Sequence, residues 1–127
     1  MNSIFLLQYN FETLYVRENK SDNILKFHTD EVFSTYDEAY KKIINEFPYK
    51  TCRLLSYTIY ELEVIHDGNP DFYLLSYEYY TYNLLGKRLF INSRGVFKDF
   101  ATLLRFIGTC KNVIRYSYLK CLVKEKK

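Results

Sequence analysis

Groups able to do acid–base, nucleophilic or metal chemistry are few and scattered along this 127-residue chain. His66-Asp67 is the tightest pair, and an aspartate beside an imidazole can orient it for proton transfer. The same two residues run straight into Gly68-Asn69-Pro70, so they read equally well as the start of a turn. His28 stands far from them in sequence. Cys52, Cys110 and Cys121 lack the CxxC spacing of a metal knuckle, and an odd count of three points to reduced thiols packed as small hydrophobes. Nothing in the spacing supports pairing Cys110 with a histidine as a nucleophile. Glu61 and Glu63 alternate on one strand face, which suits cross-strand pairing with Lys or Arg better than general acid catalysis. The four glycines, at positions 68, 86, 95 and 108, are dispersed, so no Gly-rich segment can cradle a phosphate. The expectation is a chain that is not an enzyme and carries no metal or cofactor.

Two other groupings have the residue types that binding needs. Lys87, Arg88, Arg94, Lys98 and Arg105 make a basic cluster of the kind that neutralises phosphates or an acidic partner. Tyr73, Tyr77, Tyr79, Tyr80 and Tyr82 make a tyrosine strand, whose apolar rings and wet hydroxyls suit a protein interface. Aromatic faces interleaved with cations are also how a sheet binds single strands. The chain lacks RNP-type aromatic signatures, and its pI near 8.6 is below that usual for dedicated nucleic-acid domains.

Charge placement strengthens the basic cluster. Residues 1–64 carry ten acids and seven bases, and residues 65–127 five acids and eleven bases. All eleven of those bases lie in residues 86–127, where the only acids are Asp99 and Glu125. Such asymmetry speaks to partners and not to fold. Phe and Tyr make 19% of the chain, Trp is absent and Ala occurs only at positions 39 and 101. That bias toward residues with AT-rich codons indicates an AT-rich genome, and it warns that not every tyrosine is selected.

The elements that must position these groups follow from pattern. Residues 3–9 read as an opening strand, and Asn19–Asn23 as a polar turn ahead of a strand over 24–29. Thr35-Tyr36-Asp37-Glu38 is a capping box, and apolar positions 36, 39, 40, 43, 44 and 47 hold helical spacing until Pro48 ends it. The run Val32–Ala39 is similar to the strand-to-helix corner of small ββαβ proteins of bacteria and phages. That resemblance covers eight residues and implies no activity. A strand over 52–65, a turn at Asp67–Asp71 and a strand over 72–83 come next. In the last of these, Phe72, Leu74, Tyr80 and Tyr82 share one face, and Tyr73, Leu75, Tyr77 and Tyr79 the other. Gly86-Lys87 turns the chain into a short strand over 88–92, and Asn92–Gly95 reads as a loop. A second helix is expected over 97–107 with Gly108 as its cap, then a strand over 112–123 and a solvated tail, Lys124–Lys127.

The order hairpin, helix, strand appears twice, which suggests pseudo-repeats over 1–66 and 71–123 within a single domain, 1–127. The expected fold class is α+β: mostly antiparallel sheet with two helices packed on one face, built from a duplicated ββαβ unit. Apolar runs of four or five residues are too short for a membrane span, and Met1–Leu7 lacks the features of a secretory signal. A cytoplasmic protein with no membrane partner is therefore expected. Its function reads as non-catalytic macromolecule binding, in the manner of a phage or mobile-element accessory protein that inhibits a host nucleic-acid-handling complex. Its partner would be another protein or a nucleoprotein complex, with homodimerisation through the tyrosine strand a further expectation. The alternative is direct binding of RNA or single-stranded DNA by the basic C-terminal third.

Overall fold

The computed structural model describes residues 3–13, 25–46 and 52–127. Six strands and two helices make an α+β fold of mostly antiparallel sheet, as the sequence predicts. The elements are β1 (Ser3–Thr13), β2 (Lys26–Phe33), α1 (Tyr36–Lys41, continued by a π-helical turn Lys42–Glu46), β3 (Cys52–Ile65), β4 (Phe72–Tyr82), β5 (Arg88–Phe97), α2 (Phe100–Thr109) and β6 (Val113–Lys126). No described helix is long and apolar enough to cross a membrane. The chain forms two compact units, Met1–Leu62 with Lys124–Lys127, and Glu63–Val123.

In the first unit β1 lies between β2 and β3. β1 and β2 pair antiparallel from Phe5 opposite Phe33 to Glu12 opposite Lys26. Thr35 caps α1 as its spacing predicts, accepting from the Glu38 amide at 3.2 Å, while its hydroxyl donates to the Glu38 carboxylate at 3.1 Å. Ala39 and Ile43, one turn apart, are buried with Leu7, Tyr9 and Ile59, and Phe5, Phe33 and Tyr36 pack around that cluster. The polar turn at 19–23 and the stop at Pro48 lie outside the described residues.

In the second unit β4 lies between β5 and β6, antiparallel to both. The β4–β5 ladder runs without a break from Tyr73 opposite Phe97 to Tyr82 opposite Arg88. α2 covers one face of β4. Tyr73 meets Phe100 at 5.5 Å between ring centroids, Tyr77 meets Phe106 at 5.5 Å, and Phe97 meets Phe106 at 5.3 Å. Leu75 on that face and Leu103 of α2 are fully buried. Each unit thus has the order strand, strand, helix, strand, with its first strand in the middle.

Four local expectations are corrected. Asn92–Gly95 is not a loop, because those residues pair with Leu75–Glu78 in the β5 ladder and their backbone groups are satisfied there. α2 accordingly starts at Phe100 and not at Phe97, capped by the Asp99 carboxylate, which accepts from the Thr102 amide at 2.7 Å. Gly108 sits inside α2 and does not cap it; the left-handed backbone after the helix falls to Asn112, at φ 66°. Residues 124–127 are exposed as expected, yet they are not a tail, since β6 runs to Lys126 and the Lys127 amide donates to the Ile59 carbonyl.

Candidate binding surface

The turn of the β4–β5 hairpin is built by one side chain. Asn83 Oδ1 accepts from the amides of Leu85 and Lys87, both at 2.9 Å. The Asn83 amide donates to the Lys87 carbonyl at 2.9 Å, and the Gly86 amide to the Asn83 carbonyl at 3.0 Å. Gly86 takes φ +79°, which a side chain would resist. This bracing points Leu84 and Leu85 into solvent, at 106% and 84% exposure. Turn centres ordinarily carry polar residues, so two leucines fixed there break a local rule.

Below the turn, strand alternation divides the candidate residues between two faces. Tyr73 and Tyr77 lie under α2 and are half-buried, and Tyr79 stacks on Tyr77 at 5.7 Å. Tyr80 and Tyr82 lie on the face away from α2, edge to face at 5.8 Å. Register places Arg88 opposite Tyr82 and Phe90 opposite Tyr80. The Arg88 guanidinium sits 4.6 Å from the Tyr80 ring centroid and 6.0 Å from that of Tyr82. Arg94, opposite Ser76, shares this face, and so does the Arg115–Glu78 ion pair at 3.0 Å. Neither Arg88 nor Arg94 forms an ion pair among the described residues.

The fold therefore unites Arg88 and Arg94 with Tyr80 and Tyr82, and sets Lys87 in the turn beside them. Lys98 lies in the bend before α2, and Arg105 lies on α2, donating to the Thr102 hydroxyl at 3.3 Å. Leu84, Leu85, Phe90 and Arg115 join the surface without having been singled out by sequence. The leucine pair had a legible signal, two large apolar residues beside Gly86, whereas Phe90 and Arg115 are assigned to this face only by the ladder.

Elsewhere the titratable groups serve structure. Glu61 accepts from the Ser3 hydroxyl at 2.7 Å and faces Lys124 and Lys127, each at 3.5 Å. The hydroxyl foremost, then the two lysines, hold its carboxyl below the ordinary value. Asp99 is held low by the Thr102 hydroxyl and amide, with Arg105 adding to it. Glu12 is buried and ion-paired with Arg53. Burial pushes the Cys121 thiol up, and Cys110 and Cys121 are free thiols.

His66 and Asp67 are exposed in the bend before β4, with no hydrogen bond between them. It is His28 that meets an aspartate: Nε2 is 2.9 Å from Asp30 Oδ1 and Nδ1 is 2.9 Å from Asn10 Oδ1. Asn10 in turn donates to the Ser56 hydroxyl at 3.0 Å, so this exposed chain places no nucleophile against the imidazole. Among the described residues no three His, Cys, Asp or Glu side chains converge as a metal site. An open depression of about 330 Å³ lies between β2 and α1, lined by Phe33, Glu38, Lys41, Lys42 and Asn45. No family model, no protein of known function and no solved structure matches the chain.

Proposed function

We propose that this chain is a non-catalytic binding protein that engages another macromolecule through the free end and outer face of the β4–β5 hairpin. The observation that carries this reading is the hairpin end itself, with Leu84 and Leu85 fully exposed on a turn braced by Asn83. Beside them stand the Tyr82 and Phe90 rings, also exposed. Rigid apolar and aromatic anchors beside an arginine are what interface hot spots are made of. The partner is anionic, because residues 79–98 contain four bases and no acid. Self-association by this face would set Arg88 and Arg94 of two copies against each other, which favours a different molecule over a homodimer.

AT-rich coding and an aromatic surface support placing the chain among phage or mobile-element accessory proteins. Its target would be a host complex that handles nucleic acid, in the host cytoplasm. The test is co-purification from the natural host with the wild type and a Leu84→Ser/Leu85→Ser double variant. A partner that is held by the wild type and lost by the double variant, with the far-ultraviolet spectrum unchanged, is the expected result. Equal retention by both proteins would remove the hairpin end from the interface. A second reading, direct contact with RNA or single-stranded DNA, is favoured by the stacking of Arg88 over Tyr80.

A further inference from the structure

We infer a binding site for single-stranded nucleic acid on the face of β4, β5 and β6 that lies away from α2, made by Tyr80, Tyr82, Arg88, Phe90 and Arg94. This rests on the reading that the chain works by binding, and it names the class of partner. A single strand offers two things at once, a row of phosphates and the planar faces of unpaired bases. The face offers a complement to each. Tyr82 and Phe90 expose more than half of their surface, so their rings are free to take stacked bases. Arg88 and Arg94 have no carboxylate partner among the described residues, and they stand six residues apart on one strand, about 20 Å at the usual rise. Both cations are thus spaced along one line with aromatic surface at one end. Glu78, on this face, is already engaged by Arg115 at 3.0 Å.

Arg88 is also held in advance. Its guanidinium lies over the Tyr80 ring at 4.6 Å, a cation–π contact that restrains the side chain while its charge remains available to a phosphate. A duplex would use the arginines alone, because its base faces are already stacked. A run of carboxylates on a polypeptide would likewise use the charges and bring no apolar surface of its own to cover the rings. The exposed rings are what favour a single strand over both.

The assignment separates residues that the sequence groups together. Lys98 lies in the bend beyond the end of β5, Arg105 lies on α2, and Tyr73 and Tyr77 are packed under α2. None of these four contributes to the site.

The experiment is fluorescence anisotropy of the full chain with labelled oligo-dT, oligo-U, a duplex of equal length and labelled polyglutamate, at about 50 and 200 mM salt. Both single strands bind at the lower salt and weaken at the higher. Tyr82→Ala and Phe90→Ala each cost about 5- to 150-fold for single strands and leave duplex affinity unchanged. Arg88→Gln and Arg94→Gln each flatten the salt slope by about 0.7, whereas Lys98→Gln and Arg105→Gln do not. Tyr82→Leu guards against a folding artefact, keeping apolar bulk while removing the aromatic face; it should lose affinity like Tyr82→Ala.

Failure to bind either single strand at low salt overturns the site. So does a loss shared equally by Lys98→Gln and Arg105→Gln, which would mean diffuse attraction. Polyglutamate binding that ignores Tyr82 and Phe90, in place of oligonucleotide binding, overturns the nucleic-acid assignment but leaves an anionic protein partner standing. The wider binding reading fails separately, on the Leu84/Leu85 double variant.

Discussion

Gly95 shows how tightly single atoms are placed in the second unit. It lies on the α2 side of β5, and a Cβ there would stand 3.0 Å from the Phe97 ring. That ring is the one that packs on Phe106 of α2. Gly95→Ala therefore forces the ring to shift, and the expected loss is about 1–2 kcal/mol, as for other overpacked sites, read as a lower urea midpoint. An unchanged midpoint would mean that the Phe97 ring yields freely.

Two carboxylates set the acid limb at the same scale. Asp99 and Glu61 are held below ordinary values of 3.8 and 4.5. A carboxyl depressed on folding adds stability that is complete above its unfolded value and is lost as pH falls through its lower folded value. Stability should thus stay level down to about pH 5 and then fall. Ser3→Ala removes the foremost cause of the Glu61 shift and should make the acid-dependent loss shallower. Superimposable pH profiles for the variant and wild type would refute that role for the Ser3 hydroxyl.

At the scale of elements, what was legible in the sequence is what neighbouring residues decide. The Thr35 cap is made within one turn, and the helical spacing of Ala39 and Ile43 marks the face of α1 that is buried, so the pattern showed both. The alternation of β4 was equally plain, with Tyr80 and Tyr82 on one side and Tyr73 and Tyr77 on the other. Which side stays open toward the hairpin end was not, because the Phe100 and Phe106 rings of α2 cover the other, and farther back Phe72 and Leu74 on the Tyr80 side are buried too. Asn92–Gly95 has the composition of a turn, yet its ladder with Leu75–Glu78 overrides local preference. With those four residues drawn into β5, the start of α2 moves to Phe100, and Arg94 changes from a loop residue to one on the open face. Leu103 is the buried foot of α2, so Leu103→Ala should cost about 2–5 kcal/mol. Its imprint should be faster amide exchange in α2 and in the β4–β5 ladder. Exchange that rises only in the first unit would contradict the packing described for α2.

At the scale of the whole molecule, charge is distributed by role. Acids outnumber bases in residues 1–64, and eleven bases gather in residues 86–127. Not all of that positive charge is available to a partner. Lys124 and Lys127 belong to the first unit, where both face Glu61, and the Lys127 amide donates to the Ile59 carbonyl at 2.6 Å. A run reading Lys-Glu-Lys-Lys looks like a tail because nothing local marks it as a strand; its pairing is with residues more than sixty positions earlier. Removing residues 124–127 should therefore weaken β3 and leave the hairpin end alone. The deletion should speed amide exchange over 52–62, with little change over 72–97, and it should raise the Glu61 titration by stripping two of the cations that hold it down. Binding through Arg88 and Arg94 should survive with its salt slope intact, since both terminal lysines are engaged by Glu61. A deletion that abolished binding while leaving exchange over 52–62 unchanged would show that the terminal lysines serve the partner and not the fold.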